Sequence, residues 1–222
     1  MTGGARLPLV FLHGWGFDAS TWAPMRAHLD GWEVHADDAG YFGPAVAAER
    51  PAAYVAVGHS LGAMRGLEDE GGGCRGFVLI NGFARFAASD DFPAGVAPRV
   101  LDRMLARLAA DPVAVVGEFR RRCGADGAVD AAKLDEAALA AGLRYLREGD
   151  ARAAWAGRRV PACVLAGDAD AVVTPALTAA SFGDRVSWCA GGGHLLPLTH
   201  PEWCAGQVRA FASELASAVD HA

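Results

Sequence analysis

The chain has 222 residues, of which 52% are hydrophobic and 21% charged. It is long enough to bury a core without a disulfide or metal staple, and its composition excludes a disordered or low-complexity protein. A net charge of −6 supplies no global basic field, so neither nucleic acid nor membrane is expected as a partner.

The N-terminal stretch MTGGARLPLVFLHGW carries one Arg and then a short apolar run. That run falls below the length of a signal-peptide core or a membrane span. The first strand is expected at residues 9–12 (LVFL), ending in the turn cluster His13-Gly14-Trp15-Gly16. An amphipathic stretch over 18–29 predicts a helix. Residues 32–35 form a weaker strand candidate, and 37–43 read as a loop. A second clear strand at 54–57 meets Gly58-His59-Ser60-Leu61-Gly62, with helix-like sequence through residue 70. Residues 77–80 (FVLI) make another strand that ends at Asn81-Gly82.

From about 83 to 159 the alternation stops. Three helix-like stretches, at 98–110, 112–123 and 135–148, follow one another with no strand between them. Strands resume at 160–166, closed by Gly167, and at 186–189, closed by Gly191-Gly192-Gly193. A terminal helix is expected over 201–218. Strands alternating with helices predict an α/β fold, a mostly parallel central sheet with helices on both faces. The uninterrupted helices predict an inserted lid. The expected division is a core of residues 1–84 and 160–222 with a helical lid at 85–159.

Charge divides at the same boundaries. Residues 85–159 hold 13 Lys/Arg and 11 Asp/Glu, a net of +2; the remainder holds 7 and 15, a net of −8. Cysteine usage adds a constraint on compartment. Cys74, Cys123, Cys163, Cys189 and Cys204 are odd in number and contain no CxxC pair, so a zinc cage or redox dithiol is not expected. A reduced, cytoplasmic protein is.

The chemistry concentrates at the ends of the strands. Gly58-His59-Ser60-Leu61-Gly62 is G-x-S-x-G between a strand and a helix. A sharp turn there would hold Ser60 Oγ at the sheet edge over a helix N-terminus, with glycines where side chains would strike backbone. A serine nucleophile needs a base. His194, after three glycines, is the candidate; His13, His59 and His200 have structural readings in their turns and caps. The base needs an orienting carboxylate. Asp170, three residues past Gly167, is preferred to Asp168, which reads as a turn residue. The order Ser60, Asp170, His194 is the order that accompanies this motif. The main-chain N–H groups of Leu61 and Trp15 are the expected oxyanion donors.

LVFLHGWG, GHSLG, GDADAVVTP and GGGHLLPLTHP, in that order, resemble the α/β-hydrolase superfamily. HGWG with a lid beginning FARFAASDDFP and continuing DPVAVVGEFRRRCG is more narrowly similar to the pimeloyl-acyl-carrier-protein methyl ester esterases of biotin synthesis. That resemblance implies a serine carboxylesterase that removes the methyl group from a pimeloyl chain carried on an acidic acyl-carrier protein. It places Ser60, Asp170 and His194 in the triad, and Trp15 and Leu61 at the oxyanion and substrate positions. It sets Phe119 along the acyl channel, with no metal and no organic cofactor. The chain departs from the family at Cys123, where a polar residue is usual, and in a short segment between residues 32 and 54. A basic lid over an acidic core also suits an acidic carrier. Arg99, Arg103 and Arg107 recur every four residues on one predicted helix face, and Arg120, Arg121 and Arg122 form a second cluster. The rival readings are a broad-specificity small-molecule carboxylesterase, lactonase or thioesterase on the same fold, and a non-catalytic binding module.

Overall fold

The computed structural model describes residues 6–68 and 72–219. The first half runs β1 (Leu9–Leu12), a 3-10 turn (Ala19–Trp22), α1 (Ala23–Arg26), β2 (Val34–Ala36), β3 (Tyr54–His59), α2 (Leu61–Glu68) and β4 (Cys74–Ile80). Four helices follow: α3 (Pro98–Leu108), α4 (Pro112–Arg122), α5 (Glu136–Glu148) and α6 (Arg152–Gly157). The chain closes with β5 (Ala162–Gly167), α7 (Pro175–Phe182), β6 (Val186–Cys189), α8 (Leu196–Thr199) and α9 (Pro201–Val219).

Among the described residues, six strands make one sheet in the order β2-β1-β3-β4-β5-β6. Every pairing is parallel. The strands read as unbroken apolar runs because both faces are covered. Leu9, Phe11, Val55, Val57, Val78 and Ile80 face one way, toward Met25 of α1 and Cys204, Ala205, Val208 and Ala212 of α9. Their neighbours Val10, Leu12, Ala56, Phe77 and Leu79 face the other, toward Leu61, Met64 and Leu67 of α2. Strand order reverses direction between β1 and β3. In open parallel sheets that switch opens a crevice at the carboxyl ends, where ligands bind.

The sequence expectations hold for the strands and need three adjustments among the helices. The stretch expected to be one helix over 18–29 is a 3-10 turn followed by the single-turn α1. Asp18 caps the turn by accepting from the Ser20 N–H, and Gly31 at φ +74° ends the segment. Helix α7 was not anticipated, although Thr174-Pro175 carries both start signals. The Thr174 hydroxyl accepts from the Leu177 N–H, and Pro175 sits in the first turn. Helices α6 and α8 are too short for a periodicity reading.

The four helices between β4 and β5 form an insertion whose two ends meet. The Ala151 N–H donates to the Ala84 carbonyl at 2.7 Å, and residues 85 and 150 bridge antiparallel. Arg85 also pairs with the Asp150 carboxylate at 2.7 Å. Arg152 binds the same carboxylate, and together the two guanidinium groups hold it well below the usual range for Asp. Closing the insertion at its base leaves the order of the sheet undisturbed. Its apolar residues Leu101, Leu108, Val115, Leu139 and Leu143 join the core on the α2 side of the sheet. Among the described residues no helix is long and apolar enough to cross a membrane.

Candidate active site

Ser60 lies between the last residue of β3 and the first of α2, at φ +53°. A left-handed backbone at a non-glycine residue is unfavourable, and the surroundings hold it in place. Its N–H donates to the Ile80 carbonyl and its own carbonyl accepts from the Ala63 N–H, both at 3.0 Å. The glycines around it leave no room for side chains. A Cβ on Gly58 would lie 2.5 Å from the Ala63 Cα, and one on Gly62 would lie 2.0 Å from the Leu12 carbonyl oxygen. The tight packing of α2 against β1 and β3 therefore depends on those residue types.

His194 arrives on the loop between β6 and α8. Its Nε2 is 3.2 Å from Ser60 Oγ and its Nδ1 is 2.8 Å from Asp170 Oδ2. With Nδ1–H donating to the carboxylate, Nε2 is free to accept the Ser60 proton. Ser60, Asp170 and His194 are 5%, 4% and 2% exposed. Of the three, Ser60 lines a cleft.

Asp170 is embedded in donors. Its Oδ1 accepts from the Val172 and Val173 N–H groups at 2.7 and 2.9 Å. Its Oδ2 accepts from His194 and from the Asn81 amide, the latter at 2.6 Å. Burial works to raise the carboxyl pKa. The His194 hydrogen bond and charge and the two backbone amides outweigh it, and the group is held below its ordinary value. Asp168, one turn earlier, accepts from the Gly191 N–H and shapes the histidine loop.

The other histidines take the structural places expected of them. His59 points away from Ser60 and donates Nε2–H to the His194 carbonyl at 2.8 Å. Burial, with the nearby His194, pushes its pKa down to about 3, so its ring stays neutral. His13 accepts from the Ala39 N–H at Nε2 and so donates from Nδ1 to the Gly14 carbonyl. His200 contacts the Thr199 hydroxyl at a helix junction.

The cleft that reaches Ser60 has a volume of about 110 Å³. Trp15, Phe86, Val96, Val100, Leu101, Met104, Phe119, Leu146 and Val172 line it, with Arg122 as the one charged lining residue among the described residues. Both core and insertion build the wall. Trp15 ties them together: its indole N–H donates to the Leu139 carbonyl of α5 at 2.8 Å, and its ring meets Phe119 of α4 edge-on at 4.9 Å. The main-chain N–H groups of Trp15 and Leu61 carry no hydrogen bond among the described residues.

The arginines of the two expected docking clusters divide into four situations. Arg99 and Arg103 are exposed on α3. Arg107 is engaged by Glu118 of α4 through two 2.7 Å contacts, so its charge is neutralised locally. Arg120 turns inward, donating to the Gly16 carbonyl and lying over the rings of Phe17 and Phe42. Arg122 donates to the Ala171 carbonyl beside Asp170 and faces the cleft. The expected patch thus reduces to Arg99 and Arg103, with the exposed Arg121 beyond them. Spacing along the chain could not show that Glu118 and Gly16 would meet Arg107 and Arg120.

Sequence reasoning read Asn81 only as the end of a strand. It is fully buried and at φ +45°. Its amide nitrogen contacts both Asp170 and the Gly193 carbonyl, and its amide oxygen accepts from the Gly167 N–H. The signal was present: a polar residue closing a buried strand at the same sheet edge as Ser60. Cys123, the departure noted at α4, is buried, and burial pushes its thiol pKa up. Among the described residues no disulfide joins any of the five cysteines. Among the described residues no group of three or more His, Cys, Asp or Glu is arranged to hold a metal ion.

Comparison with known proteins identifies the family. The alpha/beta hydrolase family matches residues 9–207. The chain is 30% identical over 247 residues to the biotin biosynthesis bifunctional protein BioHC of Cellvibrio japonicus. The match covers 96% of this chain and 49% of that protein, so the chain spans about half the length of that relative. It is 28% identical over 245 residues to a pimeloyl-acyl-carrier-protein methyl ester esterase of Stenotrophomonas maltophilia, covering 95% and 94% of the two chains. Among solved structures, a bromoperoxidase from Bacillus anthracis superposes with a TM-score of 0.78 at 20% identity, covering 94% and 92%. That likeness is one of fold.

Proposed function

The chain belongs to the alpha/beta hydrolase family, and on that premise we propose that it is a serine carboxylesterase acting on the methyl ester of a pimeloyl chain carried by acyl-carrier protein. One observation carries the catalytic part. A single imidazole bridges a buried carboxylate at 2.8 Å and a strained serine hydroxyl at 3.2 Å, at the head of an apolar cleft.

In this reading His194 Nε2 takes the Ser60 proton as Oγ attacks the ester carbonyl. The Trp15 and Leu61 amides, unspent among the described residues, receive the oxyanion. The imidazolium, stabilised by Asp170, gives its proton to departing methanol. A water deprotonated by His194 then attacks the acyl-enzyme, and Ser60 recovers its proton as the acid leaves. The side chains of Ser60, His194 and Asp170 supply this chemistry without a cofactor. The insertion serves as a lid over the cleft, and Phe119 lines the acyl path. Arg99 and Arg103 steer an acidic carrier to the mouth. The relatives named as pimeloyl-acyl-carrier-protein methyl ester esterases support the substrate. A cytoplasmic location fits a carrier-bound substrate.

One observation favours a second reading, a small-molecule carboxylesterase. The cleft of about 110 Å³ is narrower than the ~300 Å³ at the lower end of ordinary ligand sites. The deciding experiment follows the mass of pimeloyl-acyl-carrier-protein methyl ester on incubation with the protein and with Ser60→Ala. Loss of one CH2 mass, dependent on Ser60, is expected. No loss alongside rapid cleavage of p-nitrophenyl acetate would replace the first reading with the second.

A further inference from the structure

We infer that Asn81 is a positioning residue that locks the acid and the base of the triad to a single amide. The inference rests on the esterase reading above and deepens it.

Asn81 follows β4, on the strand between those that present Ser60 and Asp170. Its main-chain N–H donates to the Leu165 carbonyl of β5 at 2.8 Å, which fastens its backbone to the strand leading to Asp170. The side chain then makes three contacts. Nδ2 donates to Asp170 Oδ2 at 2.6 Å and to the Gly193 carbonyl at 2.8 Å. Oδ1 accepts from the Gly167 N–H at 3.3 Å. The reverse amide orientation would set an oxygen against a carboxylate and a carbonyl, so the partners dictate the orientation.

The two acceptors of Nδ2 are the triad acid and the residue immediately before the triad base. One planar amide therefore sets the distance between them. Asp170 Oδ2 receives the His194 and Asn81 protons together, which leaves the carboxylate one orientation toward the imidazole. The His194 backbone is held on its other side by His59, through the His194 carbonyl. Asn81 is thus the partner common to both members; among the described residues no other side chain is hydrogen-bonded to both Asp170 and the Gly193 carbonyl. A structural reading of Asn81 rests on its φ of +45°, which Asn tolerates better than most residues. That reading and the positioning reading give different outcomes on substitution.

Asn81→Gly accepts the backbone conformation and deletes only the amide. With p-nitrophenyl acetate as substrate, kcat is expected to fall about 10- to 100-fold, the factor carried by a hydrogen bond to a charged group. KM should stay within about twofold. Retention of more than half the wild-type kcat would overturn the inference and leave Asn81 a backbone residue. Asn81→Asp keeps shape and tolerance of positive φ, and it decides the matter if the Gly variant does not fold. Its second oxygen can donate toward Asp170 only while protonated. kcat/KM should therefore acquire a descending limb as pH rises, absent from the wild type; a profile of wild-type shape would overturn the inference. A wild-type protein without Ser60-dependent turnover would overturn the esterase reading and this inference with it. Wild-type activity combined with an unaffected Asn81→Gly variant removes the inference alone.

Discussion

The edge of the sheet and the helical insertion face each other across one cleft, yet they are built by opposite rules. At the sheet edge the polar groups of interest are buried, and Asp170 and His194 are held by several fixed partners. Asp170 accepts four hydrogen bonds, and His194 is held at its ring and its carbonyl. On the insertion Arg99, Arg103 and Arg107 are exposed. Arg107 answers to Glu118 and Arg147 to Asp102, while Arg99 and Arg103 extend into solvent. Reaction chemistry needs placement within a fraction of an ångström, whereas attraction of a charged partner needs only the sign and approximate location of charge. On the proposed reading, the same chain meets the first need with strand ends and the second with helix faces.

The largest expected effects lie at the sheet edge. Asp170→Asn keeps the shape of the side chain but offers an NH2 group to a neighbourhood made entirely of donors. Turnover of p-nitrophenyl butyrate should drop about 10³- to 10⁴-fold, as it does when a triad acid is replaced by its amide. A loss below tenfold would separate Asp170 from the base and dissolve the contrast between the two regions.

A smaller effect of the same burial is on stability. Folded His59 remains neutral down to about pH 3, whereas an unfolded histidine takes up a proton near its ordinary value of 6.5. Between those values the unfolded state binds more protons, so stability falls as pH falls. The contribution at pH 5 relative to pH 7 is about 2 kcal/mol. Urea unfolding at the two pH values measures it. His59→Asn, which removes the titration, should show a shallower dependence, and equal slopes would remove His59 as the cause.

The smallest effects belong to the insertion. Arg99→Ala with Arg103→Ala should raise KM for a carrier-bound ester about three- to tenfold at low ionic strength and leave soluble esters unchanged. Salt should erase the difference. Arg107→Ala should do less, since Glu118 already compensates its charge. Equal effects on carrier-bound and soluble esters would show that the insertion shapes the cleft and does not attract a partner.

Much of the site was legible because its requirements are local. G-x-S-x-G declares itself in five residues, since the turn at Ser60 admits no Cβ at positions 58 and 62. Gly167 and the run of three glycines ahead of His194 announced the two loops that return to the sheet edge. What escaped was pairing between distant segments. Asn81 and Asp170 lie 89 residues apart, and nothing around Asn81 signals a carboxylate. Arg120 looked like a member of an exposed cluster, but Gly16, 104 residues away, draws it inward.

The amino-acid order by itself determined the mostly parallel sheet and the identity of the three residues that meet at its edge. Those depend on hydrophobic runs, turn residues and steric room, all of which act within a few positions. Only the tertiary structure decided which arginines keep their charge free, how Trp15 couples the insertion to the sheet, and that one amide binds both Asp170 and the histidine loop. Those outcomes depend on hydrogen-bonding groups brought within 3 Å of one another by packing, and local sequence carries no record of such distances.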